Sequence, residues 1–118
     1  MVSGHGVTGD ALNAVRAALA ARDGELAAAD DELAVLLRSA QQDGMDSVRR
    51  IDAVRSAIDA AVAGRNIDGA AAARELGAFL VERNREISAI LTDAQAAIDA
   101  KVVALQQLSE RYRGTAQQ

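Results

Sequence analysis

Residues 12–40 read LNAVRAALAARDGELAAADDELAVLLRSA, and this stretch decides the fold class of the 118-residue chain. Nine of its positions follow one another in alternating steps of three and four residues. They are Leu12, Val15, Leu19, Arg22, Leu26, Ala29, Leu33, Leu36 and Ala40, and we call them the N-terminal seam. A mean step of about 3.5 residues is typical of one face of an α-helix that winds around a neighbouring helix. The stretch therefore predicts a long helix packed lengthwise against another.

The composition of the chain also favours an all-α fold. The sequence contains no proline, 28 alanines and only two aromatic residues, Phe79 and Tyr112. Alanine has the highest helix propensity and lets helix backbones approach closely, but its small side chain buries little apolar surface. We therefore expect slender helices in a single domain with a thin core.

Glycine-containing turns divide the pattern into three predicted helices. The first begins at a cap formed by Thr8 or Asp10. It continues through Gly24, because the N-terminal seam keeps its phase there, although a break at Gly24 is the alternative. Turns at Gly44 and over residues 64–69 separate the other two helices, and in the second turn Ile67 is placed to form a hydrophobic staple. The sequence thus predicts an elongated antiparallel three-helix bundle or coiled-coil-like hairpin, with helices at about 9–42, 46–63 and 69–113.

Outside these helices, the chain ends carry little apolar periodicity. Residues 1–8 are predicted to be a disordered lead, residues 9–113 a single helical domain and residues 114–118 a frayed tail after a stop at Gly114. In the third helix, Ala94, Ile98 and Val102 are four residues apart twice in succession. This stutter predicts a local straightening or bend of the helix.

The predicted helices differ in length, and this difference points to an interaction surface. A middle helix of roughly 20 residues spans only about 30 Å, so it is too short to cover the seams of its neighbours. We expect the uncovered seam to contact a partner. Arg22 either fixes the register of the two helices in this contact or extends its charged group into water. The candidate interface residues are Leu12, Val15, Leu19, Arg22, Leu26, Leu33, Leu36, Phe79 and Tyr112.

The residue types that carry most enzyme chemistry are scarce. The only histidine, His5, lies in the predicted lead, and the chain has no cysteine. Nucleophilic catalysis needs an activating base, and metal sites need converging ligands. We therefore expect no catalytic residues, no metal, no cofactor and no small-molecule substrate. The net charge of −4 disfavours nucleic acid and anionic membranes as partners.

One stretch resembles a known family. Residues 70–87, AAAARELGAFLVERNREI, precede a long alanine-rich helix that ends in Leu108-x-x-x-Tyr112. This arrangement resembles a family of small uncharacterised mycobacterial helical proteins, over roughly residues 45–113. The resemblance implies an actinobacterial source and an association with type VII secretion. The better-known small substrates of that pathway carry a Trp-x-Gly turn and an acidic residue four positions after a tyrosine, whereas this chain has no tryptophan and has Ala116 at that position.

These features predict a non-enzymatic helical interaction module. Its expected partner is a second copy of the chain or another helical protein. The alternative is a peripheral membrane or envelope protein that lays amphipathic helices on lipid. The chain lacks the basic and apolar pattern of a signal peptide, so we expect a cytoplasmic location by default, with signal-less export left open.

Overall fold

The computed structural model describes residues 2–65 and 68–117, with side chains from residue 8 onward. Two helices account for nearly all of this part of the chain: α1 spans Val2–Gly64 and α2 spans Ala70–Ala116. The described residues contain no strand, and the all-α prediction is confirmed. The prediction of three helices is wrong, because the segments expected at 9–42 and 46–63 are parts of one continuous helix.

α1 passes through both glycines that could have interrupted it. Continuity at Gly24 is confirmed, whereas the predicted turn at Gly44 does not form. A glycine inside a helix costs about 1 kcal/mol relative to alanine, which favourable tertiary contacts easily offset. Near Gly44, the hydroxyl of half-buried Ser47 donates a 3.0 Å hydrogen bond to the carbonyl of Asp43, and Lys101 of α2 contacts the carboxylate of Asp43 at 3.2 Å.

The turn between the helices lies where the sequence predicts it. Gly69 has a φ of 102°, a left-handed conformation that favours glycine, and its carbonyl accepts a hydrogen bond of 3.3 Å from the amide of Ala73. The proposed staple residue Ile67 lies outside the described residues.

Both helices extend beyond their predicted ends. α1 begins at Val2, so residues 2–8 belong to the helix and its predicted start at Thr8 or Asp10 is wrong. α2 continues past the predicted stop at Gly114 to Ala116, and the amide of Gln117 donates a 3.2 Å hydrogen bond to the carbonyl of Arg113. Thr115 is buried, which shows that the last turn of α2 packs against other residues.

The chain forms two compact units, each containing segments of both helices. Unit 1 consists of Met1–Leu37 and Val103–Gln118, and unit 2 consists of Arg38–Val102. Within each unit the α1 and α2 segments are antiparallel, because contacts at higher residue numbers in one helix pair with lower numbers in the other. In unit 1, for example, Arg111 pairs with Glu32 and Thr115 lies near Glu25.

The core of unit 1 follows the N-terminal seam from Arg22 onward. Ala29 and Leu108 are buried at its centre. The half-buried residues beside them include four seam positions and two residues of α2: Arg22, Leu26, Leu33, Leu36, Ala104 and Tyr112. The seam prediction is therefore confirmed for the part of α1 that α2 covers.

The core of unit 2 is also narrow, with Val54 and Ile90 as its buried apolar residues. Two details differ from the sequence pattern. Ser39 is half-buried, whereas the predicted seam position Ala40 is exposed. On α2, the half-buried line runs through Ala94, Ala97 and Lys101. Two of the three residues of the predicted stutter, Ile98 and Val102, are exposed and do not lie on this packed line.

Candidate interaction surface

In unit 2, α1 carries a second apolar line beside the one that packs on α2. Its positions again alternate in steps of four and three residues: Gly44, Val48, Ile51, Arg55, Ile58 and Val62. Val48 is 58% exposed and Val62 is 50% exposed, whereas Ile51 and Ile58 are half-buried. The packed line of α1 here runs through residues 43, 47, 54, 57 and 61, and the second line follows it by one residue, so it is rotated by about 100°. α1 thus has two adjacent apolar lines in this unit.

α2 carries a matching second line in the same unit. Leu80, Leu91, Ile98 and Val102 lie within a narrow sector of the helix that also contains the polar Asn84, and Leu91 and Ile98 are each 56% exposed. Each of these apolar residues directly follows a half-buried or buried residue of α2, at 79, 90, 97 or 101, so this line is also rotated by about 100° from the packed line and in the same sense. Ile98 and Val102, two of the three residues of the predicted stutter, belong to this outer line.

The two outer lines face the same direction. Both are displaced from the packed line in the same rotational sense about their own helix, and the helices are antiparallel in unit 2. Seen from one end of the unit, one helix winds clockwise and the other anticlockwise. The same step along each sequence therefore leads to the same flank of the helix pair. We call this flank, with its exposed residues Val48, Val62, Leu80, Leu91, Ile98 and Val102, the apolar side of unit 2.

The opposite flank of unit 2 is polar. Arg50 of α1 donates a 3.2 Å hydrogen bond to Asp93 of α2, which crosses between the helices. Arg49 pairs with Asp46 at 2.9 Å on the same flank of α1. These groups are well exposed, so the pairs contribute little to stability, but they keep this flank hydrated. The two flanks of one helix pair therefore differ sharply in polarity.

A shallow notch lies at the edge of the apolar side. Gln41, Gly44, Met45, Val48 and Arg49 line it. The first four occupy positions i, i+3, i+4 and i+7, the arrangement that forms the hole for a side chain of a packed neighbouring helix. Because Gly44 has no side chain and no other group lies within 4 Å of its would-be Cβ, the hole is open.

One arginine is half-buried in unit 2. The guanidinium of Arg83 lies 4.8 Å from the centre of the Phe79 ring and 3.1 Å from Glu86. Its Nε atom is buried without a hydrogen-bond partner in the described part of the chain. Phe79 also lies 5.6 Å from the guanidinium of Arg65, so the ring contacts two cations near the turn. These contacts place Phe79 inside unit 2.

The end of α2 is fixed to α1 by side-chain hydrogen bonds in unit 1. The Tyr112 hydroxyl donates to Asp30, and Arg111 donates to Glu32. The hydrogen bond to Asp30 is the main reason why the pKa of Tyr112 is raised above its ordinary value of 10.0, with desolvation and the charge of Asp30 as lesser causes. Tyr112 thus stabilises an intramolecular contact.

The structure divides the predicted interface residues into two groups. Leu12, Val15 and Leu19 are exposed, because the contacts of α2 with α1 in the described residues end near Glu25. The remaining predicted residues are half-buried within their own units: Arg22, Leu26, Leu33, Leu36, Phe79 and Tyr112. The exposure of the first group does not come from a short middle helix, since no such helix exists.

Sequence reasoning did not assign the apolar side of unit 2 as a candidate surface. On α1, its signal was present in the four-three spacing from Gly44 to Val62, which begins at the predicted turn. Assigning a turn to Gly44 removed the first position of that line. On α2, placing Ile98 and Val102 in the packed line removed two more.

Neither a membrane-spanning segment nor a metal site occurs within the described ranges. Neither helix contains a stretch apolar and long enough to cross a bilayer. Likewise, no three His, Cys, Asp or Glu residues from residue 8 onward are grouped to bind a metal ion. The side chain of His5 lies outside the described residues.

Comparisons with known proteins give the family of the chain. No solved structure matches it. A relative from Mycobacterium tuberculosis (strain CDC 1551 / Oshkosh), the uncharacterized protein MT0028, is 38% identical over 100 residues, which cover 82% of this chain and 83% of the relative. The family model of a domain of unknown function, DUF4226, matches residues 5–117. The expected similarity to uncharacterised mycobacterial proteins is confirmed, and the chain belongs to the DUF4226 family.

Proposed function

We propose that this protein is a non-enzymatic helical interaction module that associates with a second copy of itself or with another helical protein. The observation that carries the proposal is the balance of apolar residues. Among the described residues, fifteen large hydrophobic side chains are exposed and four hydrophobic residues are buried, one of them an alanine. Far more of the large hydrophobic side chains in the described part of the chain are therefore exposed than fully buried.

The free energy of folding supports the same proposal. Ordering each residue costs about 1–2 kcal/mol of conformational entropy, and burial of apolar surface must offset most of this cost. A pair of alanine-rich helices with narrow cores offsets less of it than an ordinary domain of this length. A partner that covers the exposed apolar residues would supply the missing burial.

Mass measurement and partner capture together test the proposal. Size-exclusion chromatography with light scattering, over a wide concentration range, should give a mass above the 12.3 kDa of one chain. Alternatively, the protein should co-purify with a helical protein at a fixed ratio from cells of its source organism. A single-chain mass at all concentrations, with no partner at a fixed ratio, would contradict the proposal.

The membrane alternative and the link to type VII secretion stay predictions. Flotation with anionic and neutral liposomes tests the first, because an interaction module should remain in the bottom fraction with both lipids. The second is tested by comparing the protein in culture filtrates of a secretion-deficient strain and its parent. Export that depends on the pathway would support the link, and equal amounts would contradict it.

A further inference from the structure

We infer that the apolar side of unit 2 binds the same side of a second copy of this chain, so that two copies form a four-helix core. This inference rests on the proposed function and specifies its partner and surface. The surface differs from the N-terminal seam that the sequence predicts, because most of that seam is covered by α2 in unit 1.

The width of the apolar sector carries the first step. A helix that packs against one neighbour needs a single narrow line of apolar residues, whereas a helix in a bundle contacts two neighbours and needs a wider sector. Both α1 and α2 have two adjacent lines in unit 2 and use only one within the chain. Val48 and Leu91 lie on the unused lines. The pattern is therefore that of half a four-helix bundle.

The second step identifies the occupant as another copy. The unused lines need two further helices with apolar lines at the same angular separation, and a second copy supplies both. In a symmetric dimer, each copy covers the apolar side of the other, so no outer line of apolar residues stays exposed. Two-fold symmetric dimers are also the commonest soluble oligomers. The open hole at Gly44 could then receive a side chain from the facing copy.

The area of the surface approaches what a stable dimer needs. Its six exposed side chains are each roughly half accessible and offer on the order of 100 Å² apiece. Two copies would bury about 1,000 Å² from these side chains, and flanking residues bring the total towards the range of about 1,200–2,000 Å² found in stable interfaces.

The distribution of charge permits self-association on this flank. Each chain has a net charge of −4, so two copies repel each other weakly. The acidic residues Asp46 and Asp93 lie on the opposite flank of unit 2, where arginines pair with them. Along the two outer lines the only charged residue is Arg55. Docking on the apolar side therefore brings few like charges together.

Paired lysine substitutions test the inference in the full-length chain. Leu91→Lys combined with Ile98→Lys places two charges on the apolar side. Val81→Lys combined with Val103→Lys is the matched control, because these valines are each 52% exposed, lie on α2 and point away from α1. Both double variants change the net charge equally and retain a good helix former. Circular dichroism should show wild-type helicity in both.

Sedimentation equilibrium of the three proteins then gives the outcome. We expect a dimeric wild type, a dimeric control, and a Leu91/Ile98 variant whose dimer dissociation constant rises by about 100-fold or more. A wild-type dimer that both variants retain, or that both lose equally, would overturn the assignment to this side while leaving the proposed interaction function intact. A monomeric wild type that still binds a different helical protein would also overturn the inference alone.

Discussion

Unit 1 and unit 2 are both antiparallel helix pairs, but they differ in the contacts that join the two helices along each flank. In unit 1, polar contacts cross between the helices on both flanks: Arg111 reaches Glu32 on one, and Tyr112 reaches Asp30 on the other. In unit 2, the described ion pairs between the helices are Arg50–Asp93 on one flank and Lys101–Asp43 along the packed line, and the other flank is apolar. Polar cross-contacts can remain in water, whereas an apolar flank gains free energy when it is covered. The difference therefore points to unit 2 as the association surface.

Alanine substitutions in the two cores should have the largest effect on the free energy of unfolding. They test whether both units depend on their buried apolar residues. Leu108→Ala in unit 1 and Ile90→Ala in unit 2 each remove a buried side chain. We expect each to lower the free energy of unfolding by about 2–5 kcal/mol, measured by urea denaturation. Val103→Ala and Val81→Ala, at exposed positions, should change it by less than about 0.5 kcal/mol. A negligible effect of Leu108→Ala would mean that polar contacts alone hold unit 1 together.

The concentration dependence of thermal unfolding should show which of the two units forms the dimer. If unit 2 is completed by a second copy, each tenfold increase in protein concentration stabilises the folded dimer by about 1.4 kcal/mol, which raises Tm by several degrees. The variant with Leu91→Lys and Ile98→Lys should lose this dependence, whereas Asp30→Asn in unit 1 should keep it. Differential scanning calorimetry at three concentrations provides the measurement. Equal concentration dependence in all three proteins would remove the distinction between the units.

The spacing of apolar residues was enough to predict the fold class and much of the packing in unit 1. Leu26, Leu33 and Leu36 lie on the packed line, as the N-terminal seam predicts. The number of helices was not predictable from the same reasoning. A glycine after polar residues is a common helix end, and local preferences at Gly44 do not include the contact between Lys101 and Asp43 across the helix pair.

The candidate surface was harder to predict because small and polar residues occupy much of the packed line in unit 2. Ala94, Ala97 and Lys101 are half-buried, whereas Ile98 and Val102, which are larger than alanine and more hydrophobic than lysine, are exposed. Reasoning from side-chain size places the large residues inside. The structure instead uses alanines for close approach between helices and leaves the large residues for the adjacent line.

Glycine-to-alanine substitutions in α1 should have a smaller effect on stability and should differ between the two units. Gly24 in unit 1 and Gly44 in unit 2 both lie inside α1, and an added Cβ would meet no other group within 4 Å in either position. In the isolated chain, each alanine should stabilise the helix by about 0.5–1 kcal/mol. In the dimer, Gly44→Ala should gain less than Gly24→Ala, because its methyl group would partly fill a hole used by the second copy. Equal gains in the melting temperature at high protein concentration would argue against packing at the notch.

The smallest expected effect concerns the flank of unit 1 that contains the only tyrosine of the chain. The hydrogen bond to Asp30 favours the protonated hydroxyl of Tyr112 and raises its pKa. A folded-state pKa above the unfolded value of about 10 means that this contact stabilises the protein below about pH 10 and loses its contribution as the pH rises through the folded-state pKa. Alkaline conditions should therefore open one flank of unit 1.

A spectroscopic titration of tyrosinate absorbance measures this pKa directly, because no other tyrosine contributes. Asp30→Asn removes the charge of the acceptor and should bring the pKa of Tyr112 back towards its ordinary value, whereas Glu32→Gln on the opposite flank should leave it nearly unchanged. Identical titration curves for the wild type and Asp30→Asn would show that the hydrogen bond does not govern this group. The contact of Arg111 with Glu32 does not involve the Tyr112 hydroxyl and should persist. Above the folded-state pKa, unit 1 would thus resemble unit 2 in having polar contacts across one flank only, but its open flank would carry charges instead of an apolar surface.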